Sequence, residues 1–198
     1  PQYEIKNILD PVELGVSAFE KLNDVCTDNS GNTYLLDSKS RIVVLDENYR
    51  LAREIGALSQ DSGELLSFEE AQSVYVHTDG TIYICDTEDQ RVLCCTQDGK
   101  LKRIYTLPDS PLIPEDFNYR PLRLTVDSRG YLYVLSDGSY YGALLYDPEG
   151  KFMGFYGANE VKAGISSTLK NIWNRIFVNN TKKGASVLAL PDVFVDIV

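Results

Sequence analysis

The chain has 198 residues, of which 43% are hydrophobic, which is enough apolar content for a packed core and too much for a disordered tail. Its 29 Asp and Glu outnumber its 19 Lys and Arg, and the resulting net charge of −10 repels phosphate backbones and argues against broad nucleic-acid binding. No apolar run of about 18 residues occurs, and the opening PQYEIKNILD has neither a basic stretch nor an apolar core, so neither a membrane span nor a signal peptide is read here.

In chain order, three segments repeat one another. They read DVCTDNSGNTYLLDSKSRIVVLDENYRLAREIG from Asp24, SVYVHTDGTIYICDTEDQRVLCCTQDGKLKRIY from Ser73, and LRLTVDSRGYLYVLSDGSYYGALLYDPEGKFMGFYG from Leu122. Aligned on Gly31, Gly80 and Gly130, the units recur at about fifty residues, the period of one four-stranded β-propeller blade with its linking segment. In the second unit the predicted strands are SVYVH, TIYIC, VLCCT and LKRIY, with Asp79-Gly80 and Gln97-Asp98-Gly99 as turns. Asp-Gly supplies positive φ, so two-residue hairpins are expected there. Tyr34 and Leu36 alternate with Leu35, and Tyr83 and Cys85 with Ile84. Apolar residues at both parities predict sheets buried on both faces.

Val161 to Gly184 contains Lys162, Lys170, Arg175, Lys182 and Lys183 and no acid, so the rest of the chain is more acidic than the whole. Within it, SSTLKNIWNRIFV sets Leu169, Ile172, Trp173, Ile176 and Phe177 on one helical face. Such a face packs on its own domain; the alternative is a docking helix that uses Leu169, Trp173 and Ile176 against a membrane surface or a partner. PDVFVDIV, from Pro191, reads as the first strand of a fourth unit. The expected architecture is therefore a single all-β domain, a β-propeller of four-stranded blades: about three blades (24–56, 73–106, 122–157), one inserted amphipathic helix (163–184) and the start of a further blade (191–198). A ring of blades must close. Either the polypeptide continues past Val198 or self-association with a second copy completes it.

The pattern D-x-x-G-x-[IL]-Y-[VI]-x-D-x-x-x-x-R-[IV] resembles the NHL repeat. It runs from Asp28 to Ile42 and, with His77 at its opening position, from His77 to Val92. In the third unit Ser136 stands where Asp37 and Asp86 stand, and no Arg follows in register. More narrowly, PLIPEDFNYRPLRLTVDSRGYLYV, SDGSYYGALLYDPEGKFMGFYGA and the helical insertion before PDVFVDIV resemble bacterial NHL propellers that precede a Yip1-like membrane region. That resemblance implies an extracytoplasmic or cell-surface propeller with a membrane-attached remainder, associated with a transport system. The usual blade count of the NHL family is six.

Asp37 with Arg41, and Asp86 with Arg91, fall at the loop between second and third strands, and their repetition reads as structural support. His77 is the sole histidine, which cannot furnish a multi-histidine zinc site. Without a G-x-S-x-G motif, it reads as a turn histidine. Cys26, Cys85, Cys94 and Cys95 match no metal or disulfide spacing and read as packed thiols, Cys94 and Cys95 on opposite faces. Asp28-Asn29-Ser30-Gly31 and Asp46-Glu47-Asn48 read as Asx turns rather than calcium loops. Tyr140 and Tyr141, in the aberrant third loop, are the candidate ligand-binding residues. The expected function is a non-catalytic module for a protein, peptide or glycan, with no catalytic residue, metal or cofactor. The alternative is a propeller lyase or lactonase with a metal in the central channel, and RNA binding ranks last for an acidic surface.

Overall fold

A computed structural model describes residues 8–137 and 141–157. Their secondary structure is almost wholly β. The first sheet comprises β1 (Leu22–Thr27), β2 (Thr33–Asp37), β3 (Arg41–Leu45) and β4 (Leu51–Ile55). A small hairpin follows, β5 (Leu58–Ser59) with β6 (Leu65–Leu66). The second sheet is β7 (Ser73–Val76), β8 (Ile82–Asp86), β9 (Arg91–Cys95) and β10 (Leu101–Tyr105), and the third is β11 (Pro121–Val126), β12 (Leu132–Ser136), β13 (Ala143–Tyr146) and β14 (Phe152–Tyr156). Each sheet pairs its strands antiparallel in sequence order, with no strand exchanged between sheets. One helical turn, α1 (Pro11–Leu14), precedes β1 and is capped by Asp10, whose side chain accepts from Val12 N. The helical stretch 163–184 and the strand expected at 191–198 lie outside the described residues.

Packing explains why the units are separate sheets. In β9, Leu93 and Cys95 enter a core shared with Tyr34, Leu36, Ile42 and Val44 of the first sheet. Val92 and Cys94 point the other way, into a core shared with Leu132, Val134, Leu144 and Tyr146 of the third. A strand pleat sends successive side chains to opposite faces, so β9 is apolar at every position after Arg91 and serves two cores. The inner strands β1, β7 and β11 lie side by side, giving an arc of three blades stacked face to face.

The hairpin turns correct the two-residue expectation. His77 N donates to Thr81 O (2.8 Å) and Gly80 N to His77 O (2.9 Å), which closes a three-residue loop over Thr78, Asp79 and Gly80. The last loop position must be left-handed to return the chain in register, and Gly31, Gly80 and Gly130 hold it with φ of 84°, 84° and 86°. Tyr49 takes the same position in the β3–β4 turn at φ 59°. Gly130→Ala is expected to cost about 1–2 kcal/mol, because its φ of 86° strains any side chain, while the added Cβ would meet Pro148 only in ordinary contact at 3.4 Å. Gly56→Ala, where φ is not positive and the added carbon meets nothing within 4 Å, is the neutral control. Urea unfolding midpoints of the two variants check this.

Candidate functional site

The β2–β3 loop of each blade and the segment entering its first strand share one end of the sheet. Asp37, fully buried, accepts from Glu20 N (3.2 Å), Lys21 N (3.4 Å) and Lys39 N (3.4 Å), and from Arg41 Nε (3.0 Å). Burial alone would raise its carboxyl pKa, but the Arg41 guanidinium and the three N–H groups outweigh that and hold it below the ordinary carboxylate value. Arg41 Nη1 donates to Glu54 (3.0 Å) and to the Ser17 hydroxyl, while Nη2 donates to the carbonyls of Ser17 (2.6 Å) and Ala18 (3.2 Å). The pair therefore pins the incoming segment to the blade.

The second blade repeats the device with fewer partners. Asp86 accepts from Glu69 N (3.0 Å) and Arg91 Nε (2.7 Å), and Arg91 Nη2 donates to Ser67 O (2.9 Å) and Asp89 (2.6 Å). Here burial outweighs the Arg91 and Glu69 contacts, and the Asp86 carboxyl is raised. In the third blade the Ser136 hydroxyl oxygen accepts from Arg120 N (2.6 Å), and the hydroxyl donates to Asn118 O (2.8 Å). A neutral hydroxyl thus holds the amide equivalent to Lys21 N of the first blade, without an arginine.

Tyr141 follows β12 at this same end. Its ring lies 6.4 Å from Phe117, in the segment entering β11, and 5.7 Å from Phe155 of β14; Phe117 and Phe155 are 5.5 Å apart. All three rings are half-buried. Phe155 in turn meets Phe152 (5.7 Å), which meets Tyr146 (5.7 Å), and Tyr146 meets Tyr105 (5.2 Å). A continuous run of rings thus links the cluster to the core between the second and third blades, which fixes its orientation. Tyr140 lies outside the described residues, as do Leu169, Trp173 and Ile176. Phe117 and Phe155 escaped sequence reasoning because they sit 38 residues apart in the chain, and only the fold brings them to Tyr141.

The other chemistry-bearing residues are dispersed. His77 lies in the β7–β8 turn, at the opposite end of the inner strands, with Nε2 3.4 Å from the Thr78 hydroxyl. All four cysteines are free; burial pushes Cys26 and Cys95 up to about 12 and raises Cys85 and Cys94, so none presents a thiolate at neutral pH. Asp28, Asp46 and Asp127 each accept N–H groups two and four residues ahead, the bonding of Asx turns. Among the described residues, no group of three or more His, Cys, Asp or Glu is placed to hold a metal, and no helix is long and apolar enough to cross a membrane.

No family model and no curated protein sequence matches the chain. In fold it is similar to a Bacteroides fragilis protein described as exported, at 16% identity and a TM-score of 0.52, over 76% of this chain and 41% of that one. Virginiamycin B lyase from Staphylococcus aureus matches at 14% identity and 0.43, over 65% and 38% of the two chains. The WD40 β-propeller domain of Doa1 matches at 18% and 0.40, over 57% and 32%. The chain thus spans well under half the length of these three structures. Three four-stranded sheets stacked through apolar faces, with their inner strands side by side, make this chain an arc of a β-propeller.

Proposed function

We propose that the arc belongs to an NHL-type propeller that works as a non-catalytic binding or scaffolding module for a protein, peptide or glycan. The observation that carries this reading is the half-buried cluster of Phe117, Tyr141 and Phe155, held by a blade at the end where its loops gather. Rigid rings lose little entropy on binding and offer flat apolar faces to aromatic side chains or sugar rings. The Asp86–Arg91 pair supports the NHL assignment, since its spacing is the one that repeat carries, and Asp37–Arg41 forms the same ion pair in the equivalent loop with one residue fewer between its members. In this reading the propeller is extracytoplasmic or at the cell surface of a bacterium, beside a membrane-attached remainder, in parallel with the exported B. fragilis protein of similar fold. Its acidic surface suits ligands other than nucleic acid.

Screening the chain on peptide and oligosaccharide arrays tests the proposal. Tyr141→Ala should weaken any specific signal by roughly tenfold while leaving the circular-dichroism melting curve in place. An undiminished signal in that variant sinks the assigned surface.

A further inference from the structure

The first blade shows what an aromatic ring in the connector, the segment entering a blade, can hold. The Arg41 guanidinium stands over the Phe19 ring, 5.2 Å from its centroid. Arg41 Nη2 reaches the carbonyls of Ser17 and Ala18, while Nε and Nη1 reach the carboxylates of Asp37 and Glu54. Ring faces, carbonyl oxygens and carboxylates are all negative, so the set is built for a cation. Arginines cover Tyr34, Tyr105 and Tyr131 in the same way, at 5.9, 5.7 and 4.9 Å.

The third blade has the same end without the arginine. Arg120 N meets Ser136 and Arg120 O accepts from Asp137 N (2.8 Å), as Lys21 N meets Asp37 and Lys21 O accepts from Ser38 N (2.9 Å), so Arg120 corresponds to Lys21. Counted back from there, Asp116 and Phe117 correspond to Ser17 and Ala18, whose carbonyls take Arg41. The β12–β13 ladder pairs Val134 with Leu144. Continued by two residues, it sets Gly142 opposite Ser136, where Arg41 stands opposite Asp37 and Arg91 opposite Asp86. A glycine has no side chain to lay over a ring. Among the described residues no arginine stands over Phe117, Tyr141 or Phe155, and all three stay half-buried. In the second blade, by contrast, Phe68 is fully buried and offers no open face.

The charge around these rings is negative. Phe117 N donates to Pro114 O (3.1 Å), closing a turn that carries the exposed Glu115 and Asp116 immediately before the ring, and the exposed Asp137 is tied to Arg120 just beyond it. None of the three carboxylates forms an ion pair with a described residue, and Arg120 is itself engaged by Glu88 (3.4 Å).

We propose that the Phe117–Tyr141–Phe155 surface receives an arginine side chain presented by a partner peptide, which stands over the rings as Arg41 stands over Phe19 and is met by Glu115, Asp116 and Asp137. The inference rests on the reading of these rings as a binding surface and names the group they take. The acidic chain draws a cationic partner in, and the rings fix where its arginine lands.

The test is fluorescence anisotropy of a labelled short peptide alternating glycine with arginine, beside its counterpart with glutamine in place of arginine. The arginine peptide should bind at least roughly tenfold more tightly than the glutamine peptide. Tyr141→Ala should weaken the arginine peptide by roughly tenfold, and Tyr141→Phe, which keeps the ring, should retain it. Neither substitution changes the charge, so undiminished binding by Tyr141→Ala means that the peptide lies elsewhere on the acidic surface and overturns the proposal. Equal binding of the two peptides, both weakened by Tyr141→Ala, overturns it while leaving the binding surface in place. An arginine peptide that does not bind at all also overturns it; Tyr141-dependent signals on the oligosaccharide array then preserve the reading beneath it.

Discussion

Asp37→Ala is expected to lower folding stability by about 3–5 kcal/mol, a large share of what a domain of this size possesses. The carboxylate is fully buried, and its loss strands three backbone N–H groups together with an arginine whose side chain is only 10% exposed. Glu54, itself 38% exposed, is the remaining carboxylate on Arg41 and compensates weakly. The double variant Asp37→Ser with Arg41→Leu copies the arrangement the third blade achieves with Ser136, and it should recover part of the loss, because no unpaired charge remains buried. Guanidinium unfolding of the three proteins measures both effects; a double variant no better than Asp37→Ala would refute the clasp as described.

The same residues give opposite pH responses. Asp37 binds its proton less tightly folded than unfolded, so its contribution is present above the ordinary carboxylate value of about 4 and is lost as the pH falls through and below it. Asp86 is raised on folding, so between the ordinary value and its own the folded form holds the proton more tightly, and its contribution shrinks as the pH rises. Asp37→Asn should therefore flatten the acid limb of a stability–pH curve, and Asp86→Asn should steepen it. Equal slopes in the two variants would contradict the partner counts at the two loops.

Leu93→Ala is the second large effect, at about 3–4 kcal/mol. Leu93 is fully buried in the core between the first and second blades, with Ile84 on the same face of its sheet. Truncation leaves a cavity between two sheets, each already held by its own hydrogen bonds, so the space cannot close by a local shift. Val25→Ala, at an equally apolar strand position, should cost less than about 0.5 kcal/mol in this chain, since its side chain is 59% exposed. Chemical denaturation midpoints compare the two directly.

The repeat made the fold legible. Turn glycines at a fifty-residue spacing, and strands apolar at both parities, can be satisfied only by separate small sheets stacked on one another. Hairpin detail was less legible, because Asp-Gly fits a two-residue loop as well as the last two places of the three-residue loop formed at Gly80. The connectors were missed although a signal existed: FEKLNDVC before the first glycine and FEEAQSVY before the second align residue for residue, marking Phe19 and Phe68 as equivalents. Ser136 shows the limit from the other side. As a letter it breaks the Asp pattern, while as a hydrogen-bond acceptor it holds the amide equivalent to Lys21 N. The surroundings of Tyr141 depend on Phe117 and Phe155, side chains from two separate segments, which no local pattern encodes.

Methyl and amide NOEs provide the most direct check on separate, stacked blades. Methyl contacts should join Ile42 and Val44 of β3 to Val74, Ile84 and Leu93 across the first core, with no backbone pairing between β4 and any strand of the second sheet. Amide contacts that pair β4 with β7 or β10 in one continuous sheet would contradict the account.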